Sequence, residues 1–419
     1  MFALTRPCAV VLLLIPWIGV PAAAPLTLAE AERLALDYDA GVRAAQAQTR
    51  ALQEQAVADG QLPDPQLSLG AMSLPADSFS RTAEPMTQMT VGVSQAIPPG
   101  ATLRHRVARG RYQAGAAEAA AALRERELLR DVRSAYLELG YQEAALGVVG
   151  ETRKLFADIV VVTQSLYRTG RNNLQDVLAA QLELSLLDDR TSELHAERDA
   201  ARAELQRWIG PFAGDLSLPT TLPRLPDPPA PDVLQAGLER HPLVAQASAQ
   251  VAAGQSAVEI ARQQYKPGWM LNLTYGQRSG REPNGMERPD LVSAMVSMDL
   301  PLFAGKRQDR RVAASIEETA GLRYQRDDVY RTLQRELDAD YARWSRYHER
   351  ERGYADNILP AAHNNAESAL SAYRNNVTDF TTLTRAQSAA LDSRLQALRT
   401  QVDRLLVQAR LLYLAGETP

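Results

Sequence analysis

Apolar residues recur every three or four positions along two stretches of the first half of the chain, on either side of residues 166–177. A helix that keeps this period over several heptads packs along other helices in a left-handed coil. The short polar segment between the stretches contains Gly170, which tolerates the left-handed conformation of helix ends. We interpret residues 166–177 as the tip of a long antiparallel helical hairpin, with an ordinary surface loop in a helical bundle as the alternative. The apolar positions are Leu128, Val132, Ala135, Leu139, Leu146, Val149, Phe156 and Val160 before the tip, and Val177, Ala180, Leu184, Leu187, Leu194, Ala201, Leu205 and Trp208 after it.

The order of elements is written twice, which predicts an internal two-fold sequence repeat. In each half a helix, 28–61 or 232–265, precedes two short strands, one very long helix, a tip and a returning helix. Residues 27–30 have the spacing of a capping box, and Gly210 and Gly416 stand where helices would end. The predicted domains are a first repeat at residues 23–210, an extended proline-rich connector at 211–231, and a second repeat at 232–419, with its tip at 372–383.

The long helix of the first half is predicted to run from near Thr102 to about Leu166. At about 1.5 Å per residue it would be on the order of 95 Å long, well beyond the usual length in globular proteins. Together with the short strands, this predicts a mainly α-helical fold with a small β part.

Four short segments alternate apolar and polar residues with a period of two, which predicts β-strands. One face of each strand is apolar and the other is small or polar, and the lengths suit tilted strands that cross a bilayer. Four strands cannot close a barrel, and an open edge in lipid leaves backbone groups unsatisfied. Three chains that pool twelve strands are the simplest closed solution, whereas soluble hairpins packed on the helices are the alternative. The predicted strands are residues 66–74, 87–97, 269–278 and 291–300.

The N-terminus predicts export. Arg6 precedes an apolar run at residues 9–20, so residues 1–22 predict a signal peptide cleaved near Ala22 or Ala23, with an uncleaved anchor as the alternative. The only cysteine, Cys8, lies in this segment, so the mature chain is predicted to lack disulfides and thiol ligands. The net charge of −4 does not indicate a nucleic-acid partner.

In the order of these elements, the chain resembles the TolC-type outer membrane factors over nearly its whole mature length. The sharper matches are residues 165–170 with 176–181, and residues 371–374 with 385–387. Residues 95–100 look most like the heavy-metal efflux members of the CzcC and CusC kind. The second tip departs from the pattern because Asn376 stands where Gly170 stands in the first.

The resemblance implies a homotrimer with a twelve-stranded transmembrane β-barrel in outer-membrane lipid and an α-helical tunnel in the periplasm. It implies the passive exit duct of a tripartite efflux system, with a periplasmic adaptor and an inner-membrane pump of the resistance-nodulation-division type as partners. Heavy-metal cations are one implied cargo, and drugs or other small molecules are an alternative. The implied adaptor-docking residues at the tips are Leu166, Tyr167, Arg168, Gly170, Asn172, Ala372, Tyr373, Arg374 and Val377.

No catalytic, cofactor or metal-binding motif occurs in the sequence, and the five histidines have no ligand spacing, so we predict neither an enzyme nor a cofactor. A cluster of methionines in the second strand pair suggests soft-metal contacts. Packing against lipid or lining of a pore explains this cluster more economically, and we predict no metal site. The clustered residues are Met270, Met286, Met295 and Met298.

Four charged residues at the tips are candidates for a gate. Arg168 and Arg374 would pair with Asp176 and Asp379 of neighbouring helices and close the lower end of the tunnel. Solvated charges that contribute under about 1 kcal/mol are the alternative. In a trimer each carboxylate would occur three times and form an anionic ring that favours cations. For the whole chain, a periplasmic coiled-coil adaptor or scaffold is the second interpretation.

Overall fold

The computed structural model describes residues 25–171, 173–210 and 217–416. The predicted signal peptide with its cleavage point, Cys8 and the predicted tip residue Asn172 lie outside the described residues.

Nine α-helices and four strands follow one another in the described chain. The first half holds α1 (Leu28–Tyr38), α2 (Ala40–Ala58), β1 (Gln66–Met72), β2 (Gln88–Ile97), α3 (Thr102–Arg168) and α4 (Leu174–Ile209). The second half holds α5 (Pro231–Gly237), α6 (Pro242–Gln263), β3 (Trp269–Arg278), β4 (Leu291–Met298), α7 (Gln308–Gly353), α8 (Leu359–Arg374) and α9 (Phe380–Ala415). The longest helix, α3, has 67 residues and is therefore about 100 Å long.

The sequence predicted a single helix at 28–61, but the structure divides it at Asp39. This residue is extended (φ −61°, ψ 117°), and its carboxylate accepts a hydrogen bond of 2.7 Å from the backbone N–H of Val42 at the start of α2. The other carboxylate oxygen accepts from Arg124 of α3 at 2.9 Å. Asp39 therefore begins a new helix and fixes it to α3 at the same time. The predicted capping box at the start of α1 is confirmed, because Thr27 and Glu30 cap each other's backbone N–H groups.

The single helix predicted at 232–265 is also divided. A 3-10 turn at Leu238–Arg240 follows α5, and α6 begins after His241. Pro242 lacks an N–H group and disfavours the helical conformation of the residue before it, so the chain is extended at His241 (φ −62°, ψ 137°).

The long helix of the second half is interrupted by a π-helical turn at Tyr354–Ile358, between α7 and α8. Pro360 follows this turn. A proline ring clashes with the carbonyl group four residues earlier in a regular α-helix, and one turn of wider helix relieves that clash. The helix therefore continues through the proline instead of ending there.

The four strands form one antiparallel sheet in the order β1-β2-β3-β4. Leu67 lies opposite Val93, Val93 opposite Leu273, and Leu273 opposite Ala294, so the apolar positions of all four strands share one face. Ser68, Gly92, Thr274 and Ser293 lie in register on the other face. The observed β1 and β4 end two residues before the predicted ends at residues 74 and 300.

Buried residues form cores between the helices. One core joins α3, α4, α8 and α9 near the tips, and another joins α1, the start of α2, α3 and α4. The described part of the connector packs on the helices through Leu222 and Leu225, and Gln408 donates to the carbonyl groups of Leu225 (3.1 Å) and Pro226 (2.6 Å). The connector is therefore held against α9. In the described residues, every helix is too short or too polar to qualify as a membrane-spanning helix.

Candidate functional site at the helix tips and the sheet

The two tips have the same backbone geometry. In the first, the N–H of Arg171 bonds to the carbonyl of Leu166 at 2.9 Å, and in the second the N–H of Val377 bonds to that of Ala372 at 2.8 Å. This six-residue closure is the Schellman type of helix end, which needs a left-handed residue. Gly170 (φ 70°) fills that position in the first tip, and Asn376 (φ 57°) fills it in the second. Asparagine thus replaces glycine without a change in the turn.

The helices that follow the tips also begin in the same way. Asn173 caps α4 by accepting from the N–H of Asp176 at 2.9 Å, and Asp379 caps α9 by accepting from that of Thr382 at 2.7 Å. Short polar side chains at this position satisfy the free N–H groups of the first turn. The turns between helices are therefore shorter than the predicted tip segments 166–177 and 372–383.

The side chains of the two tips differ in burial. Tyr373 is only 3% exposed and lies edge-on to Phe380, with ring centroids 5.8 Å apart. The corresponding Tyr167 is 45% exposed, and Leu174, which stands where Phe380 stands in the second tip, is 51% exposed. Tyr373 therefore belongs to the core between the hairpins, whereas Tyr167 is available at the surface of the chain.

The remaining predicted docking residues are mostly accessible. Val377 is 77% exposed, and Arg168, Gly170 and Arg374 are also exposed. Leu166 and Ala372 are half-buried. Of the predicted set with described side chains, only Tyr373 is buried by its own chain.

The two candidate gate carboxylates influence each other. Burial raises the pKa of Asp176, and the negative charge of Asp379 raises it further. Hydrogen bonds from the side chain and backbone of Thr382 lower the pKa of Asp379. The positive charge of Arg385 also lowers the pKa of Asp379. The structure thus places the two carboxylates close enough for their charges to interact. Among the described residues of this chain, neither Arg168 nor Arg374 forms an ion pair with them, so the predicted pairing remains a prediction about neighbouring copies.

The sheet presents an unusual surface for a single chain. Leu69 and Val292 are 73% and 71% exposed, although neighbouring strands pack beside them. A continuous exposed apolar face on a sheet is typical of a site of contact with a partner or a membrane. The exposed apolar face consists of Leu67, Leu69, Ala71, Met89, Val91, Val93, Trp269, Leu271, Leu273, Tyr275, Val292, Ala294, Val296 and Met298.

Comparison with known families explains this combination of helical tips and an apolar sheet. The family model described as outer membrane efflux protein matches residues 33–211 and 233–417. The chain belongs to the outer membrane efflux protein family. It is accordingly an outer-membrane protein with a periplasmic helical extension, as predicted, and membership implies a channel rather than an enzyme. A comparison with curated protein sequences gave no match.

Solved structures share the fold at low sequence identity. A membrane protein from Pseudomonas aeruginosa superimposes with a TM-score of 0.79 at 16% identity, covering 93% of each chain. VceC, an outer membrane protein from Vibrio cholerae, gives 0.78 at 16% identity, covering 93% of this chain and 96% of its own. CusC gives 0.78 at 15% identity, covering 93% and 92%. Since CusC and VceC superimpose equally well, the fold does not separate the predicted heavy-metal subtype from other channels.

Sequence reasoning missed one feature of the site, the packing of Tyr373 and Phe380 between the hairpins. The signal was present, because the second tip carries an aromatic residue where the first carries Leu174. Within the described residues, no group of histidine, cysteine, aspartate or glutamate side chains is arranged to hold a metal ion.

Proposed function

We propose that three copies of the chain assemble into one closed outer-membrane channel with twelve strands and a periplasmic helical tunnel. The observation that carries this proposal is the four-stranded sheet, whose outer strands β1 and β4 each have one unpaired edge in the described chain. In hydrocarbon each unsatisfied backbone group costs several kcal/mol, so these edges need partners from other copies.

The two faces of the sheet support the same assembly. The apolar face would contact lipid, and the face that carries Ser68, Thr274 and Ser293 would line an aqueous pore. The match of the family model to each half of the chain supports the predicted two-fold repeat.

In this role the protein is the passive exit duct of a tripartite efflux system. Exposed tip residues, with Tyr167, Arg168 and Val377 the most prominent, would dock a periplasmic adaptor, which connects the duct to an inner-membrane pump of the resistance-nodulation-division type. Tyr373 would act indirectly, because its own chain buries it. The cargo is proposed to include heavy-metal cations, in line with the resemblance of residues 95–100 to metal-efflux members.

Crosslinking between the sheet edges tests the assembly. Cysteines at Ser68 of β1 and at Ser293 or Ser297 of β4 would lie on the pore face of opposite edges. Within one chain these strands are three spacings, about 14 Å, apart, so a bismaleimide with a short spacer should join only different copies. We expect covalent dimers and trimers in outer-membrane extracts and no larger species.

The matched control pairs Ser68→Cys with Thr90→Cys, because Thr90 lies on the same face of β2, which is the neighbour of β1 within the chain. This pair should be crosslinked within one chain and should therefore give no covalent dimers or trimers. Only monomers from the edge pairs, together with a water-soluble protein that needs no detergent, would instead support the periplasmic scaffold. A ladder that continues past three copies would contradict a closed trimer.

A further inference from the structure

The methionines have an uneven distribution. Apart from Met1, all seven lie in the strands or in the two loops that connect the paired strands, 73–87 and 279–290. Each of the seven is exposed. Methionine usually fills gaps in hydrophobic cores, and here it does not serve the long helical cores. The seven residues are Met72, Met86, Met89, Met270, Met286, Met295 and Met298.

The sheet register confirms how the predicted alternation divides the strand methionines between the two faces of the sheet. Met89 and Met298 lie on the apolar face, where contact with lipid accounts for them. Met72, Met270 and Met295 lie on the opposite face, among serine, threonine, asparagine and glutamine. On this face the cross-strand neighbours of Met270 and Met295 are Ala96, Ser297 and Asn272, so contact with lipid does not explain these methionines. Lining of the pore accounts for their position but not for the choice of a thioether among hydroxyl and amide side chains.

Two of the polar-face methionines are neighbours. Met270 lies opposite Ser297, and Met295 lies opposite Asn272, so the two methionines stand diagonally across strands β3 and β4. Diagonal positions on one face are about 7–8 Å apart, which two long side chains span easily. Met270 is 41% exposed and Met295 is 59% exposed, so neither side chain is held in a packed core.

We propose that Met270 and Met295 together bind a soft monovalent cation, Ag⁺ or Cu⁺, during its passage through the channel. Thioether sulfur is a soft, neutral donor that selects such ions over Mg²⁺ or Ca²⁺. Ser297 and Asn272, which lie opposite the two methionines, would add a hydroxyl group and an amide oxygen as weak donors. The site rests on the proposed function, since the polar face must line the pore; a trimer would carry three such sites.

The neutrality of this site suits a duct. A cation must bind well enough to enter a pore and weakly enough to leave it. A thiolate or carboxylate cluster would hold a metal ion tightly. Two thioethers and two neutral oxygens do not neutralise the charge of the ion, so the ion would dissociate quickly.

Silver binding to the purified channel tests the proposal. The protein is labelled with ¹³C at the methionine methyl groups and titrated with AgNO₃ in chloride-free buffer and detergent. We expect the Met270 and Met295 methyl signals to shift together and saturate. Replacement of both by leucine should weaken silver binding at least tenfold in equilibrium dialysis, because leucine keeps the volume and removes the sulfur.

Two single variants serve as matched controls. Met298→Leu removes a sulfur from the apolar face of β4, the strand that also carries Met295. Met72→Leu removes a sulfur from the polar face, and this sulfur lies 3.5 Å from the amide nitrogen of Gln88. Both should bind silver like the parent. Equal shifts of all seven methyl signals, or parental binding by the double leucine variant, would overturn the proposal.

The same samples separate this inference from the proposed function. A crosslinked trimer that conducts K⁺ but shows no saturable silver site would overturn the metal site alone. A protein that stays monomeric would overturn the proposed assembly and the pore-lining premise together.

Discussion

Tyrosine occupies the same position in both tips, yet its environment differs between them. The turn around it depends only on nearby backbone groups and on one left-handed residue, so the sequence predicts it well for Gly170. The burial of Tyr373 depends on Phe380, which the sequence places in the second tip, and on the helices of the other hairpin, whose position no local pattern gives. Docking and packing are therefore distinguished only once the hairpins are placed together.

This difference predicts unequal effects of the same substitution. Tyr373→Ala should reduce the free energy of unfolding by about 3 kcal/mol or more, because it leaves a cavity in the core between the hairpins. Tyr167→Ala, at an exposed position, should change stability by less than about 1 kcal/mol and weaken adaptor binding instead. Thermal unfolding followed by helical circular dichroism, with adaptor pull-down on the same samples, checks both. Similar losses of stability in the two variants would contradict the assignment.

At the scale of helices and strands, periodic signals were the reliable ones. The sequence predicts the long helix from near Thr102 to about Leu166, and α3 begins at Thr102 and ends at Arg168. The alternation in the strands fixed which residues share a face, and the register confirms it. The breaks at Asp39 and His241 were missed, because a capping residue inside a long helical pattern is a single local signal against many periodic ones.

The joint at His241 makes stability depend on pH. His241 is 1% exposed, and its Nδ1 accepts a hydrogen bond of 3.3 Å from the N–H of Leu243 at the start of α6. Burial, and to a lesser extent the charge of Arg126, lowers its pKa to about 4. Since the unfolded side chain titrates near 6.5, the unfolded state binds the proton more readily. The folded state is therefore destabilised as pH falls from about 6.5 toward 4, by up to about 3 kcal/mol.

Replacement by asparagine isolates this contribution, because asparagine also caps helices but does not titrate. The difference in melting temperature between the parent and His241→Asn should narrow, or reverse in favour of the variant, as pH is lowered from 7 to 4.5. A difference that stays constant over this range would show that His241 does not take up the proton on unfolding.

At the scale of the whole molecule, a trimer would bring the tips of three chains together and concentrate their carboxylates at one end of the tunnel. Each chain brings Asp176 and Asp379 close enough for their charges to interact, and a trimer would gather six carboxylates at the lower end of one tunnel. The pKa of Asp176 is raised, so it should lose its charge first as pH falls. An end with this charge should admit cations in preference to anions.

A test of this selectivity needs variants that remove the carboxylate charge and keep the helix caps at the tips. Asp379→Ala would also remove the cap of α9, whereas Asp379→Asn keeps a good capping side chain without the charge. Asp176→Asn is the equivalent change in α4, and Asp392→Asn, further along α9, serves as the control. In planar bilayers the K⁺ to Cl⁻ permeability ratio should fall in both tip variants, and most in the double variant. A nearby charge changes an ion's energy by about 1 kcal/mol in water, so the expected fall is about fivefold.

Replacement of the tip arginines is expected to raise conductance, whereas replacement of the tip carboxylates is expected to lower cation selectivity. If Arg168 and Arg374 pair with these carboxylates across copies, Arg374→Ala should break a closing contact and raise conductance while the selectivity for cations stays or increases. Conductance equal to that of the parent in Arg168→Ala and Arg374→Ala would make both arginines solvated charges. If the K⁺ to Cl⁻ permeability ratio were also unchanged in Asp176→Asn and Asp379→Asn, the tips would contain neither the gate nor the selectivity ring. A reduced ratio would leave the carboxylates as a selectivity ring that does not depend on the arginines.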